Sequence, residues 1–308
     1  MKRLLRLALA ADAIALLTVV LGSWTRINGA GLTCPDWPLC HGRLIPNLSD
    51  GTLWEWMHRL LASAVAPLVV WLVVVAWRER RSSPFITPTL SVIVLLFFVQ
   101  LGLGAETVRL ANTPLSVVLH WGTAMALIAA LSAMAVFAAA EQTPQGARDA
   151  SRAPSVLAIG LAVTAIATFA TMCIGAYVSS SGAGLACLSI PGCAGNVVVY
   201  TPGQYVQMLH RIAAALTLLC AAGALALSWA LPASKRVRVP VAVGCALVAL
   251  QILLGLLNVA LRLPTELREA HAVNAALVFL AFFVACAFAA LDVSRGGAGV
   301  LSRSGAAR

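Results

Sequence analysis

Four histidines, His58, His120, His210 and His271, stand in strongly apolar stretches and fall into two matched pairs. MHRL at 57–60 is answered by LHRI at 209–212, and Gln100, Gly104 and His120 are answered by Gln251, Gly255 and His271 at nearly the same offset. Imidazole is the commonest protein ligand for a metal, and a polar ring in an apolar setting is costly. A pair of them repeated in each half is therefore hard to assign to packing. Neither pair is accompanied by the carboxylate or thiolate set that would complete a tetrahedral zinc site. Two facing imidazoles between helices suit a metal held from both axial sides, as in bis-histidine haem iron.

The two halves differ beside the first histidine of each pair. Glu55 precedes His58 by three residues and shares its helix face, whereas the corresponding position before His210 is Gln207. A carboxylate near a metalloporphyrin can stabilise positive charge or carry a proton; an amide can only hydrogen-bond. The difference points to a reacting first half and a second half that holds a cofactor. A second role for Glu55, meeting the positive end of a helix dipole, stays open. Arg59 and Arg211, each following a histidine, are candidates for haem propionates, although arginine is also common at an aqueous helix edge. His41 has no counterpart in the second half and reads as a surface residue.

A glycine-rich loop with two cysteines also occurs twice, GAGLTCPDWPLC at 29–40 and GAGLACLSIPGC at 182–193. The pairs Cys34–Cys40 and Cys187–Cys193 are close enough in sequence to close as disulfides, each worth about 2 kcal/mol by chain entropy. Redox-active or metal-binding thiols are the alternative. Cys173, Cys220, Cys245 and Cys286 lie within apolar runs and read as small buried side chains.

The elements that must position these groups are membrane helices. The 308 residues are 61% hydrophobic and only 10% charged, which excludes an ordinary soluble domain. Eight apolar stretches, near 6–24, 56–77, 86–105, 115–140, 154–178, 206–231, 239–261 and 269–291, are each about long enough to cross a bilayer. Lipid satisfies no backbone group, so each is expected to be helical. Eight spans put both termini on one face. That face holds Lys2, Arg3, Arg6, Arg78, Arg80, Arg81, Arg148, Arg152, Lys235, Arg236, Arg238, Arg295, Arg303 and Arg308, 14 of the 21 basic residues. By the positive-inside rule it is cytoplasmic, and the net charge of +10 is a topology signal that implies no nucleic-acid partner. The cysteine loops then face outside, where disulfides persist, and the four histidines share one depth near the outer ends of the even-numbered helices.

Four helices per half make the duplication parallel, related by an axis along the membrane normal. The expected fold is an all-α polytopic membrane protein of two tandem four-helix bundles with pseudo-two-fold symmetry. Its expected parts are an N-terminal half at 1–145, a C-terminal half at 146–294 and a flexible cytoplasmic tail at 295–308, with the seam in EQTPQGARDASRAP at 141–154. The start MKRLLRLALAADA resembles a signal peptide, but its removal would leave the first half a helix short. Asp12 lies in this first helix near its basic end and reads as structural.

Taken together, GAGLTCPDWPLCHG, EWMHR with Glu55 and His58, the later His120, LHR at 209–211 and His271 resemble the haem A synthase family, and the likeness covers most of the chain. The resemblance implies oxidation of a methyl group of haem O to the formyl group of haem A for terminal oxidases, in a bacterial-type plasma membrane. It implies that His58 and His120 bracket the substrate haem iron, that Glu55 is the acidic catalytic group, and that His210 and His271 ligate a cofactor haem b. Haem O synthase and terminal oxidase assembly factors are the implied partners. A non-catalytic bis-histidine di-haem cytochrome, or a haem carrier, is the competing class. It would leave the Glu55/Gln207 difference without a purpose.

Overall fold

Hydropathy alone dictates the elements, and the computed structural model forms a helix from every apolar stretch. It describes residues 1–142, 153–193, 195 and 198–305. The helices are α1 (Lys2–Ile27), α2 (Thr52–Glu79), α3 (Ile86–Arg109), α4 (Pro114–Ala140), α5 (Ser155–Ser180), α6 (Pro202–Ala230), α7 (Lys235–Ala260) and α8 (Thr265–Gly305). The shortest span has 24 residues, about 36 Å of helix, which exceeds a hydrocarbon core of about 30 Å. Among the described residues there is no β-strand. The chain is an integral membrane protein with eight candidate spans.

Helix starts follow local chemistry. Pro114 and Pro202 open α4 and α6, where a missing N–H costs nothing. Thr201 caps α6 by accepting a hydrogen bond from the Gln204 N–H at 3.2 Å. The last helix runs to Gly305, past position 295 where an unstructured tail was expected. The proposed half boundary at 145/146, most of the 141–154 seam, and Arg148 and Arg152 lie outside the described residues.

Packing repeats with the sequence. In the first half α1 packs on α2 and α4, and α3 on α4; in the second, α5 packs on α6 and α8, and α7 on α8. The halves meet where α4 lies against α5 and α8, and α1 against α8. Leu4, Leu72, Met125, Ile128 and Leu131 fill the first core, to which α8 adds Phe279. Leu157, Leu161, Val237 and Phe282 fill the second. Every residue from Leu127 to Val136 of α4 is buried, so this helix is the axis of the assembly. Asp12 is used there: its carboxylate accepts the Ser132 hydroxyl at 3.1 Å, tying α1 to α4. Arg26 reaches across the seam and donates to Ser179 Oγ at 3.1 Å.

Both cysteine pairs are disulfides, Cys34–Cys40 and Cys187–Cys193. The loops match down to their turns. In the first, Asp36 accepts the backbone N–H groups of His41 and Gly42 at 2.6 and 2.8 Å; in the second, Ser189 Oγ accepts the Gly195 N–H at 2.8 Å. His41 also donates from Nε2 to the Thr33 carbonyl at 2.8 Å, so it is a loop-binding residue. The Gly42 N–H, helped by that of His41, holds the exposed Asp36 carboxyl below its ordinary pKa. A depressed folded value means stability that is present above the ordinary carboxylate range and lost as pH falls through the depressed value. Acid is thus expected to loosen loop 29–43 while leaving loop 182–195, built on Ser189, unchanged. Amide exchange of the two loops against pH measures this, and parallel loosening of both would refute it.

Candidate functional site

Each histidine is placed by a glycine on the neighbouring helix. A β-carbon on Gly22 of α1 would lie 2.6 Å from the His58 ring, and one on Gly175 of α5 would lie 2.9 Å from the His210 ring. Gly104 of α3 stands under His120 and Gly255 of α7 under His271, at 3.3 and 3.2 Å. The four imidazoles are half-buried and sit on helices α2, α4, α6 and α8. Glycine inside a helix normally costs about 1 kcal/mol relative to alanine. Its retention at all four seats is explained by the closeness of the rings.

Second contacts orient the rings. His58 Nδ1 lies 2.9 Å from the Thr18 carbonyl, one turn before Gly22. His210 Nδ1 faces the matching Thr171 carbonyl without closing the hydrogen bond. Gln100 Nε2 lies 3.1 Å from His120 Nδ1. Its counterpart, Gln251, donates to the His271 backbone carbonyl at 3.0 Å and accepts Asn274 Nδ2 at 2.7 Å.

In the second half the His210 and His271 ring centres are 6.4 Å apart, with their planes at 72°. Two metal–nitrogen bonds of about 2 Å, plus about 1 Å from each nitrogen to its ring centre, span nearly that distance. His58 and His120 face one another within electrostatic range. Among the described residues, no cluster of three or more histidine, cysteine or acidic side chains could hold a metal ion. A group that brings its own equatorial ligands fits two imidazoles; a bare ion does not. The Nδ1 atom of His271 is buried without a partner, so the cage is not self-satisfied. Glycine seats, ring separation and donor set therefore fit an axially held haem.

Glu55 is almost fully buried and faces the disulfide loop. Its Oε2 accepts the Cys34 N–H at 2.9 Å and the Thr33 hydroxyl at 3.0 Å, while Oε1 pairs with Arg59 at 2.6 Å. Gln207 does the same work with an amide, accepting the Cys187 N–H at 2.5 Å and donating to the Gly184 carbonyl at 2.8 Å. Arg59 donates to the carbonyls of Cys34, Asp36 and Leu39, and Arg211 to those of Cys187, Ser189 and Gly192. Both arginines, the candidates for propionates, bind the carbonyls of the disulfide loops.

The glycine seats Gly22 and Gly175 and the carbonyls of Thr18 and Thr171 are the elements that motif reading passed over. The signal was present: TVVLG at 18–22 stands over TMCIG at 171–175 in the same register as the two cysteine loops. Gly22→Ala is expected to leave the helix intact or slightly more stable, because alanine is the better helix former, yet to displace His58. Haem bound by the first half should weaken by about 10–100-fold, the usual scale for disturbing a ligand's support. Titration of the purified variant with haem checks it; undiminished affinity would remove Gly22 from the site.

Eight apolar helices in two repeats, with a pair of imidazoles in each half beneath a disulfide-closed loop, define a duplicated, histidine-lined polytopic membrane protein. The chain belongs to the COX15-CtaA family of cytochrome oxidase assembly proteins, whose pattern matches residues 5–51 and 48–283. It is similar to the Heme A synthase of Shouchella clausii (strain KSM-K16), 33% identical over 222 residues, 70% of this chain and 72% of that one. Over 90% of both chains it is 29% identical to the Heme A synthase of Bacillus licheniformis. The Heme A synthase of Shewanella oneidensis is 27% identical over 90% of this chain and 93% of its own.

Proposed function

We propose that this chain is a haem A synthase, an oxidoreductase that converts a methyl group of haem O to the formyl group of haem A for terminal oxidases. Family membership supports the activity, and one observation carries the assignment of roles. Two halves that agree in seats, ligands and arginines differ at Glu55 and Gln207, so a carboxylate one turn before the first histidine of the pair belongs to the first half alone.

In this reading residues 1–145 take the substrate haem O between His58 and His120, with Glu55 as the proton-handling group. Residues 146–294 hold haem b between His210 and His271. That haem, when bound, supplies one-electron redox chemistry; the chain's part is to fix the imidazoles, close the mouths with the disulfide loops and keep water access limited. The oxygen of the product comes from water. Both termini face the cytoplasm, and the loops and histidines lie toward the outer face. Haem O synthase and oxidase assembly factors are the proposed neighbours in delivery and uptake.

The test is pigment extraction from cells that make haem O, with and without this chain. Haem A is expected only with it. Haem O alone in both would reject the enzyme reading and leave a haem-binding cytochrome.

A further inference from the structure

On the flank of α8 turned away from His271, between α1 and α7, lies a groove of about 530 Å³. Trp24 of α1, Leu250 and Leu254 of α7, and Glu269, Val273 and Leu277 of α8 line it. Glu269 and Val273 are two places either side of His271, so at 100° per residue they stand on the opposite side of the helix. The groove backs on to the ligand helix and is not part of the imidazole cage. Exposed Leu250 and Leu277 form its rim, and within membrane spans such side chains face lipid.

Two of its lining residues, Trp24 and Glu269, carry buried polar atoms whose hydrogen-bonding capacity is not filled. Glu269 is 9% exposed, and no hydrogen bond closes on either of its carboxylate oxygens, although the Ser23 hydroxyl faces it from α1; Trp24 Nε1 is likewise buried without a partner. Each such atom costs about 1–3 kcal/mol. The fold does not require them, because the repeat places Leu115 and Val118 where Glu266 and Glu269 stand in the second half. Arg26 supplies positive charge within electrostatic reach of Glu269.

We propose that this groove docks a lipid-borne quinone, its ring between Trp24 and Glu269 and its tail leaving over Leu250 and Leu277 into the bilayer. The proposal rests on the haem A synthase reading, which needs an oxidant. Methyl to alcohol balances as R–CH3 + H2O + quinone giving R–CH2OH + quinol, and alcohol to aldehyde as R–CH2OH + quinone giving R–CHO + quinol. Each turnover moves two electrons and two protons to the quinone. The Trp24 N–H donates to a quinone carbonyl, and the Glu269 carboxylate accepts from the hydroxyl that replaces the other carbonyl in the quinol. The groove also sits between the helix that seats His58, through Thr18 and Gly22, and the helix that carries His271.

Decylubiquinone is the probe, with purified haem-bearing protein in detergent. Equilibrium dialysis is expected to show saturable binding, weakened by about ten-fold or more in Val273→Trp, which fills the groove, and in Glu269→Leu, which removes its buried carboxylate. Val70→Trp, on the lipid face of α2, should bind as the parent does. Anaerobic oxidation of the reduced haem by decylubiquinone should slow in the two groove variants while oxidation by ferricyanide keeps its rate. Equal binding and equal rates in all variants, or uptake without saturation, would overturn the quinone site. Saturable binding in a chain whose cells make no haem A would instead reject the synthase reading and leave the site standing.

Discussion

Protein carrying Glu55→Gln is expected to fold, close its first disulfide loop and bind haem as the parent does, while haem A formation falls by about 10²–10⁴-fold, the range for losing an acid–base group. The second half shows why the fold should survive. Gln207 accepts the first-cysteine N–H of its own loop and still leaves Arg211 fully engaged with loop carbonyls. Glutamine at 55 can therefore take over the contact to the Cys34 N–H now made by the carboxylate. Alanine would be a poor choice, since it strips the partners from Thr33, Cys34 and Arg59 together and confounds chemistry with loop collapse. The measurements are haem content, thermal unfolding and extracted haem A. Undiminished haem A in the glutamine variant would confine Glu55 to holding the loop.

The second large effect concerns the paired ligands. His210→Ala and His271→Ala should each abolish the low-spin spectrum of the second site, because one imidazole at 6.4 Å from its partner ring cannot be replaced by any neighbouring donor. His58→Ala and His120→Ala should leave that spectrum intact and abolish haem A production. The two sets of variants thus separate a cofactor half from a substrate half. Identical spectra and identical activities in all four would mean that the halves are not specialised in this way.

Much of this was legible before any coordinates. Hydropathy located the eight spans because lipid permits only helices there, and a repeated GAGL-x-C register marked the duplication. The histidine pairs were legible for the same reason, since polar rings in apolar runs stand out. Arg59 and Arg211 were harder: nothing in one dimension says that a loop 20 residues upstream folds back to occupy a guanidinium. Glu55 was found by contrast with Gln207, but its contacts to Thr33 and Cys34 depend on the same fold-back. Glu269 had no repeat partner to draw attention to it, and its place beside Ser23, Trp24 and Arg26 becomes visible only when α1 and α8 are set side by side.

The enclosure of α4 bears on how the protein is made. Translation delivers this helix midway, yet α5 and α8, which cover two of its sides, are synthesised afterwards. Until the C-terminal segment leaves the translocon, the Leu127–Val136 stretch has only lipid on those flanks, a wait that its lack of charge makes tolerable. Neither half is thus a finished product at birth, and an amino-terminal fragment would remain an open scaffold awaiting its complement.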